Sequence, residues 1–312
     1  MRIRYCIILL NFLFYLFTGS RVGASDWKQL VRERTVLHCY EEDMKNAKLV
    51  ISIVDETLPR IMGDLNFFSK KKVTIVIAPS EKEFQALTGG QIPEWGVGAA
   101  DPSRAIIFLK SPRFARAETN FRQVVIHELS HIVLGLALGG SEIDRWFEEG
   151  FAQYESGERG IRGSILLARC LFSGDILWLN EIDEVLTFHR GKASLAYHEA
   201  RSAVDYLIET YGKDILAEIV QIKSEGKGMD EALLGSTGVG FQDFETDWYH
   251  AIKRKYRWYI LMDFPIVIST VFVVLFITAF FATRRRIRKR KQIWENEELH
   301  EFERLEENSA SN

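Results

Sequence analysis

The chain has 312 residues, enough for one large domain or two modest ones. Hydrophobic residues make up 47% and charged residues 27%, which supports a packed core and excludes global disorder. A formal net charge of -3 with a pI near 6.2 excludes a general attraction to nucleic acid.

The N-terminus reads MRIRYCIILLNFLFYLFTGSRVGAS. Arg2 and Arg4 form a basic start, Ile7 to Phe17 form an apolar stretch short for a membrane span, and Val22 and Ala24 give a cleavage context before Ser25. Residues 1–24 therefore read as a signal peptide, with an uncleaved signal anchor as the alternative. Residues 25–257 follow as one exported domain without a low-complexity linker or internal repeat. Met44, Ala47, Ile51, Val54 and Leu58 recur at helical spacing, so the domain is expected to open on an amphipathic helix. Lys72–Ala78 is β-rich and reads as a strand. Ser80 and Glu83 make a capping box that starts a short helix. Gly89–Pro102 reads as loop, and Ala105–Lys110 as a second strand. From Asn120 onward the pattern is helical. Strands first and helices after is the α+β order. Cys39 and Cys170 either pair, as export would allow, or remain buried thiols. No cysteine cluster points to a cysteine-based metal site.

Phe264–Ala282 is an uncharged run of 19 residues, long enough to cross a bilayer. Trp258 and Tyr259 precede it, and Arg284, Arg285, Arg286, Arg288, Lys289, Arg290 and Lys291 follow. This pattern predicts one transmembrane helix, 264–282, with the basic side in the cytoplasm and the large domain outside it. Residues 283–312 form a basic-then-acidic cytoplasmic tail. A lipid bilayer is thus one expected partner. The basic run lies against an apolar span, so it reads as topogenic and not as a nucleic-acid patch.

The chemistry lies in VVIHELSHIVLGLALGG. His127 and His131 are four apart, which puts both imidazoles on one helix face, one turn apart. They can bind one metal ion together. Glu128 lies beside that face, where it can act on a water molecule and not on the metal. This is the HExxH arrangement. The flanking residues are apolar, so the polar groups are buried, and a metal supplies the partner that such burial demands. A third ligand is sought in SEIDRWFEEGFAQY. Glu148 and Glu149 are neighbours pointing about 100° apart, so only one of them can ligate. Ser141 and Asp144 are candidate caps of that helix. Asp144 or Gln153 is a candidate to orient a histidine.

HELSH followed by WFEEGFAQY resembles the gluzincin, or peptidase MA, superfamily. The similar phrase W-x-x-E-G-F-A of membrane-alanyl-type aminopeptidases carries the third zinc ligand, and it aligns Glu149 with that role. The resemblance implies Zn2+ as cofactor, with His127, His131 and Glu149 as ligands. It implies a thermolysin-like zincin catalytic domain with a small N-terminal sheet and a mostly helical remainder. SLAYHEARSAVDYLIETYGKD is similar to the later helix of small bacterial peptidase MA-like domains. It implies an oxyanion-stabilising role for Tyr197, with His198 as a neighbouring alternative donor. Here YHEA stands where the aminopeptidases have Y-E-K-G. GFQDFETDWYHAIKRKY resembles the closing helix, and Gly212 suits a helix C-terminus.

One departure bears on activity. WGVGAADPSRAIIFLK carries no counterpart of the G-A-M-E-N glutamate that holds a substrate's amino group. Endopeptidase action is therefore favoured over aminopeptidase action, with Ala105–Lys110 as a candidate edge strand for an extended peptide. The leading expectation is a membrane-anchored zinc metallopeptidase acting on a peptide or protein, with Glu128 as general base. The alternative is an inactive zinc-stabilised envelope module that binds a partner. An intramembrane protease fits less well, because Glu142, Asp144, Arg145, Glu148 and Glu149 follow the motif closely.

Overall fold

A computed structural model describes residues 27–310 except 91, 94–95, 115–119, 158–160, 183–189 and 263. The segment read as a signal peptide lies outside the described residues. The chain groups into two compact units: 1–160 with 177–251, and 161–176 with 252–312.

In the first unit the domain opens on two strands and not on a helix. Strands β1 (Trp27–Val31) and β2 (Thr35–Tyr40) form an antiparallel hairpin before helix α1 (Met44–Asp64). In β2 the burial alternates residue by residue, the period-2 signature of a strand with one buried face. His38 and Cys39 interrupt its run of β-branched and aliphatic residues, which hid it in the sequence. Helix α1 buries Ala47, Val50, Val54, Leu58 and Ile61, the expected stripe extended by one more turn. Strand β3 (Val73–Ala78) is buried on both faces. Ser80 caps helix α2 (Glu81–Leu87) by accepting a hydrogen bond from the Glu83 amide at 3.3 Å.

Strands β4 (Gly98–Asp101) and β5 (Ile106–Lys110) complete a five-stranded sheet of order β1-β2-β3-β5-β4. β2, β3 and β5 run parallel, and β1 and β4 are antiparallel to their neighbours. Two expectations are corrected here. The stretch read as loop contains β4, whose sequence Gly-Ala-Ala-Asp lacks every β-propensity cue. And β5 is not an edge strand, because it pairs with β3 on one side and β4 on the other. The edge is β4. On one sheet face Val76, Ala78 and Phe108 pack on Phe84 of α2. Helices α1 and α3 (Phe121–Ala137) also pack against the sheet.

The remainder of this unit is helical: α4 (Arg145–Ser156), α6 (Arg190–Tyr211), α7 (Ile215–Ser224), α8 (Met229–Thr237) and α9 (Phe241–Tyr256), whose last turn belongs to the second unit. Gly212 follows α6 with φ +90°, the left-handed cap that favours glycine. The fold is α+β, mostly helical with a small mixed sheet.

The second unit holds α5 (Ile161–Ser173), the 3-10 turn Arg257–Met262 and α10 (Phe264–Ala310). Within α10, Val267–Trp294 is long and apolar enough to cross a membrane. At about 1.5 Å per residue, the 19 uncharged residues span about 28 Å, close to the thickness of the hydrocarbon layer. Both Cys39 and Cys170 are present as thiols, with Cys39 buried in β2. Burial, reinforced by Asp43 and Glu41, pushes the Cys39 thiol up to about 11.

Glu199 on α6 is fully buried. One carboxyl oxygen accepts a hydrogen bond from the Leu177 amide at 3.0 Å. Burial, then nearby Glu181, push its carboxyl from 4.5 up to about 8, against the opposing pull of the Leu177 amide and Lys192. The folded state thus holds this proton where the unfolded chain releases it. Stability is fully present below about pH 4.5 and declines as pH rises to about 8. Glu199→Gln keeps the carbonyl acceptor and removes this decline. Its melting temperature should match wild type at the acid end of the window and exceed it at the alkaline end. Parallel melting curves for the two proteins across that window would disprove the protonated assignment.

Candidate metal centre

Helix α3 starts where Asn120 accepts a hydrogen bond from the Gln123 amide, and its apolar residues sink it into the core. That burial carries His131 and Glu128 inward, while His127 stays half-buried. The two imidazoles lie one turn apart, ring centroids 4.9 Å from each other and nearly perpendicular. Helix α4 packs along α3, anchored by buried Trp146, Phe147 and Phe151. The same burial aims Glu149 at both histidines. Its Oε2 lies 3.4 Å from His127 Nε2 and 3.7 Å from His131 Nε2.

The three candidate ligand atoms all lie within 4.8 Å of one another. Two ligands at about 2.0–2.1 Å from a tetrahedral zinc sit roughly 3.3 Å apart, so the carboxylate-to-imidazole spacings suit that cation. The donor chemistry, two imidazoles and a carboxylate, suits it as well. Glu149 Oε2 is buried and, among the described residues, accepts no hydrogen bond of normal geometry. A buried carboxylate oxygen facing two imidazole nitrogens is what a cation would satisfy.

Glu148 and Glu149 diverge as neighbours on a helix must. Glu148 Oε1 lies 3.1 Å from His131 Nδ1, on the far side of the ring from Glu149. The carboxylate found orienting a histidine is therefore Glu148, and neither of the two sequence candidates. Asp144 instead pairs with Lys223 at 3.4 Å, and it occupies the N-cap of α4 without a side-chain capping bond. The Gln153 main-chain oxygen accepts from Arg201.

Arg145 was missed in the sequence and is central here. It sits three and four residues before the two glutamates, so its guanidinium can reach both. Its Nη1 is 3.2 Å from Glu148 Oε2 and its Nη2 is 2.9 Å from Glu149 Oε1. Burial opposes its charge, but Glu149 and Glu148, with smaller help from Tyr197 and Glu128, outweigh burial and raise its pKa. Burial also pushes Glu149 upward, yet His127, His131 and Arg145 overcome this and hold its carboxyl at about 2. Glu149 is thus kept as a carboxylate despite its burial.

Two glycines set the approach of the surrounding elements. A Cβ on Gly98 of β4 would lie 2.6 Å from Glu128 Oε1, so the sheet edge passes directly over that carboxylate. A Cβ on Gly150 of α4 would lie 2.3 Å from the Ala200 carbonyl oxygen of α6. This close crossing brings α6, and half-buried Tyr197, to the Arg145 neighbourhood.

An HExxH helix and a glutamate from a second helix thus bring two histidines and a carboxylate together. The sequence model of the Peptidase MA superfamily matches residues 54–254. The chain belongs to the Peptidase MA superfamily. This member is also similar to the uncharacterized protein YhcO of Bacillus subtilis (strain 168), at 21% identity over 73% of this chain and 75% of that relative. The matched region contains α3, α4, β4 and α6, and so every residue of the candidate site described above.

Gly150→Ala should destabilise this peptidase MA domain by about 1–3 kcal/mol, because the backbone carbonyl of Ala200 cannot rotate away as a side chain would. Chemical denaturation of the two proteins reads this directly, and an unchanged midpoint would mean that α4 and α6 are not in such close contact.

Proposed function

We propose that this chain is a zinc-dependent peptidase with a thermolysin-like zincin arrangement. It would be tethered by α10, with its catalytic domain outside the cytoplasm and the tail after Ala282 inside. The observation that carries this reading is the convergence of His127 Nε2, His131 Nε2 and Glu149 Oε2 with Glu128 on the adjoining helix position. His127, His131 and Glu149 would hold the zinc. When bound, zinc supplies a Lewis acid that polarises a carbonyl and acidifies water.

The chain's own residues do the rest. Glu128 takes the proton of the attacking water on its carboxylate and returns it to the departing amine nitrogen. Gly98 leaves the space into which that carboxylate fits. Tyr197 donates its hydroxyl proton as a hydrogen bond to the carbonyl oxygen as negative charge develops there. Glu148 fixes the tautomer and orientation of His131, and Arg145 holds Glu148 and Glu149 apart in their separate tasks.

An extended peptide would pair with the outer edge of β4, which carries no further strand among the described residues. A strand-paired substrate continues past the scissile bond on both sides. Together with the missing amine-binding glutamate, this favours endopeptidase over aminopeptidase action. The basic cluster after the apolar run supports the proposed orientation.

Two substitutions test the reading. Glu128→Gln should lower kcat on a quenched-fluorescent peptide by about 100- to 10,000-fold while the protein keeps one equivalent of zinc. Full activity in that variant would sink the mechanism, and a wild type that takes up no zinc would sink the metal assignment. Glu148→Gln should weaken zinc binding by about 10- to 100-fold in a chelator competition, because His131 loses its charged partner. An unchanged affinity would show that Glu148 does not orient His131.

A further inference from the structure

Helix α5 packs against the 3-10 turn Arg257–Met262, and that turn contacts α10. Within the second unit, α5 therefore sits beside the point where the chain enters its long apolar helix. Its sequence, IRGSILLARCLFS, divides into two apolar faces. Gly163, Leu167 and Ala168 are buried. Ile161, Ile165 and Phe172 share another line along the helix at i, i+4 and i+11. That line opens outward at its two ends: Ile161 is 58% and Phe172 81% exposed, with Ile165 half-buried between them. Arg162 is exposed next to it. In the adjoining turn Trp258 is 62% exposed, with the Arg257 guanidinium 5.0 Å from its ring centroid.

An apolar ridge flanked by arginine, beside an exposed tryptophan at the mouth of an apolar helix, has the chemistry of a helix lying in a bilayer interface. Tryptophan and arginine both place an apolar body in the membrane and a polar tip at the headgroups.

We propose that α5 is a second membrane contact, lying in the interface of the bilayer that α10 crosses. Ile161, Ile165 and Phe172 would sit among the acyl chains, and Arg162 and Arg257 against lipid phosphates. This rests on the reading that α10 spans the bilayer, and the experiment separates the two.

The full chain, with Cys6, Cys39 and Cys170 replaced by Ala, is reconstituted in vesicles of phosphatidylethanolamine and phosphatidylglycerol. A nitroxide is placed in turn by Phe172→Cys, by Phe276→Cys within α10, and by Lys227→Cys as an aqueous reference. Phe172, Phe276 and Lys227 are all exposed, so the labels leave the packing intact. Collision with dissolved oxygen reports lipid, and collision with a water-soluble nickel chelate reports water. The expected result is loss of nickel accessibility with high oxygen accessibility at both 172 and 276, against full nickel accessibility at 227. Nickel accessibility at 172 with a lipid signature at 276 overturns the α5 contact and leaves the span standing. Shielding of 172 from both reagents also overturns it, because a protein then covers the ridge. Nickel accessibility at 276 removes the span, and the α5 contact with it.

Discussion

The structure turns on one contact, the carboxylate of Glu149 held between the imidazoles of His127 and His131. Three polar groups meet between two helices that are otherwise held by apolar side chains. Such a meeting is costly unless opposite charge or a metal compensates it, and everything around it supplies compensation or alignment. Arg145 neutralises part of the glutamate charge from one side. Glu148 supports His131 from behind. The large aromatic anchors Trp146, Phe147 and Phe151 fix α4, so the carboxylate cannot swing away.

The same contact explains the demands on the rest of the first unit. Helix α4 must lie close to α3 to deliver Glu149 and close to α6 to reach Tyr197. The chain meets the second demand with a glycine where the helices cross. The sheet edge must approach Glu128 without filling its space, and Gly98 meets that demand. Glycine serves in both places because its missing Cβ lets backbone and side chain approach closely. Neither position can be recognised as special from local propensity.

The second unit answers a different constraint. A long helix whose first part is apolar and whose next part is densely basic satisfies its own backbone hydrogen bonds, as a membrane span must. The short helix beside its entry point carries an apolar line whose ends, Ile161 and Phe172, stay exposed. On the proposed reading, both follow from one fact: lipid, and not the protein core, is the solvent for these side chains.

Much of the candidate site was legible in the sequence, because helical spacing is a local rule. The four-residue interval of His127 and His131 fixed their shared face, and the divergence of Glu148 and Glu149 followed from helix geometry alone. The α1 stripe, the β3 run and the apolar segment of α10 were legible for the same reason, as periodicity or composition within one short window. Tertiary structure decided what depends on partners far along the chain. β4 is a strand only because β5 offers it a ladder, and β5 loses its edge for that reason. His131 takes Glu148 as its support because the crossing of α3 and α4 places it there, and Asp144 turns to Lys223 instead. A sequence determines which faces its elements present; which faces meet is set by packing among distant segments, whose contacts no local pattern contains.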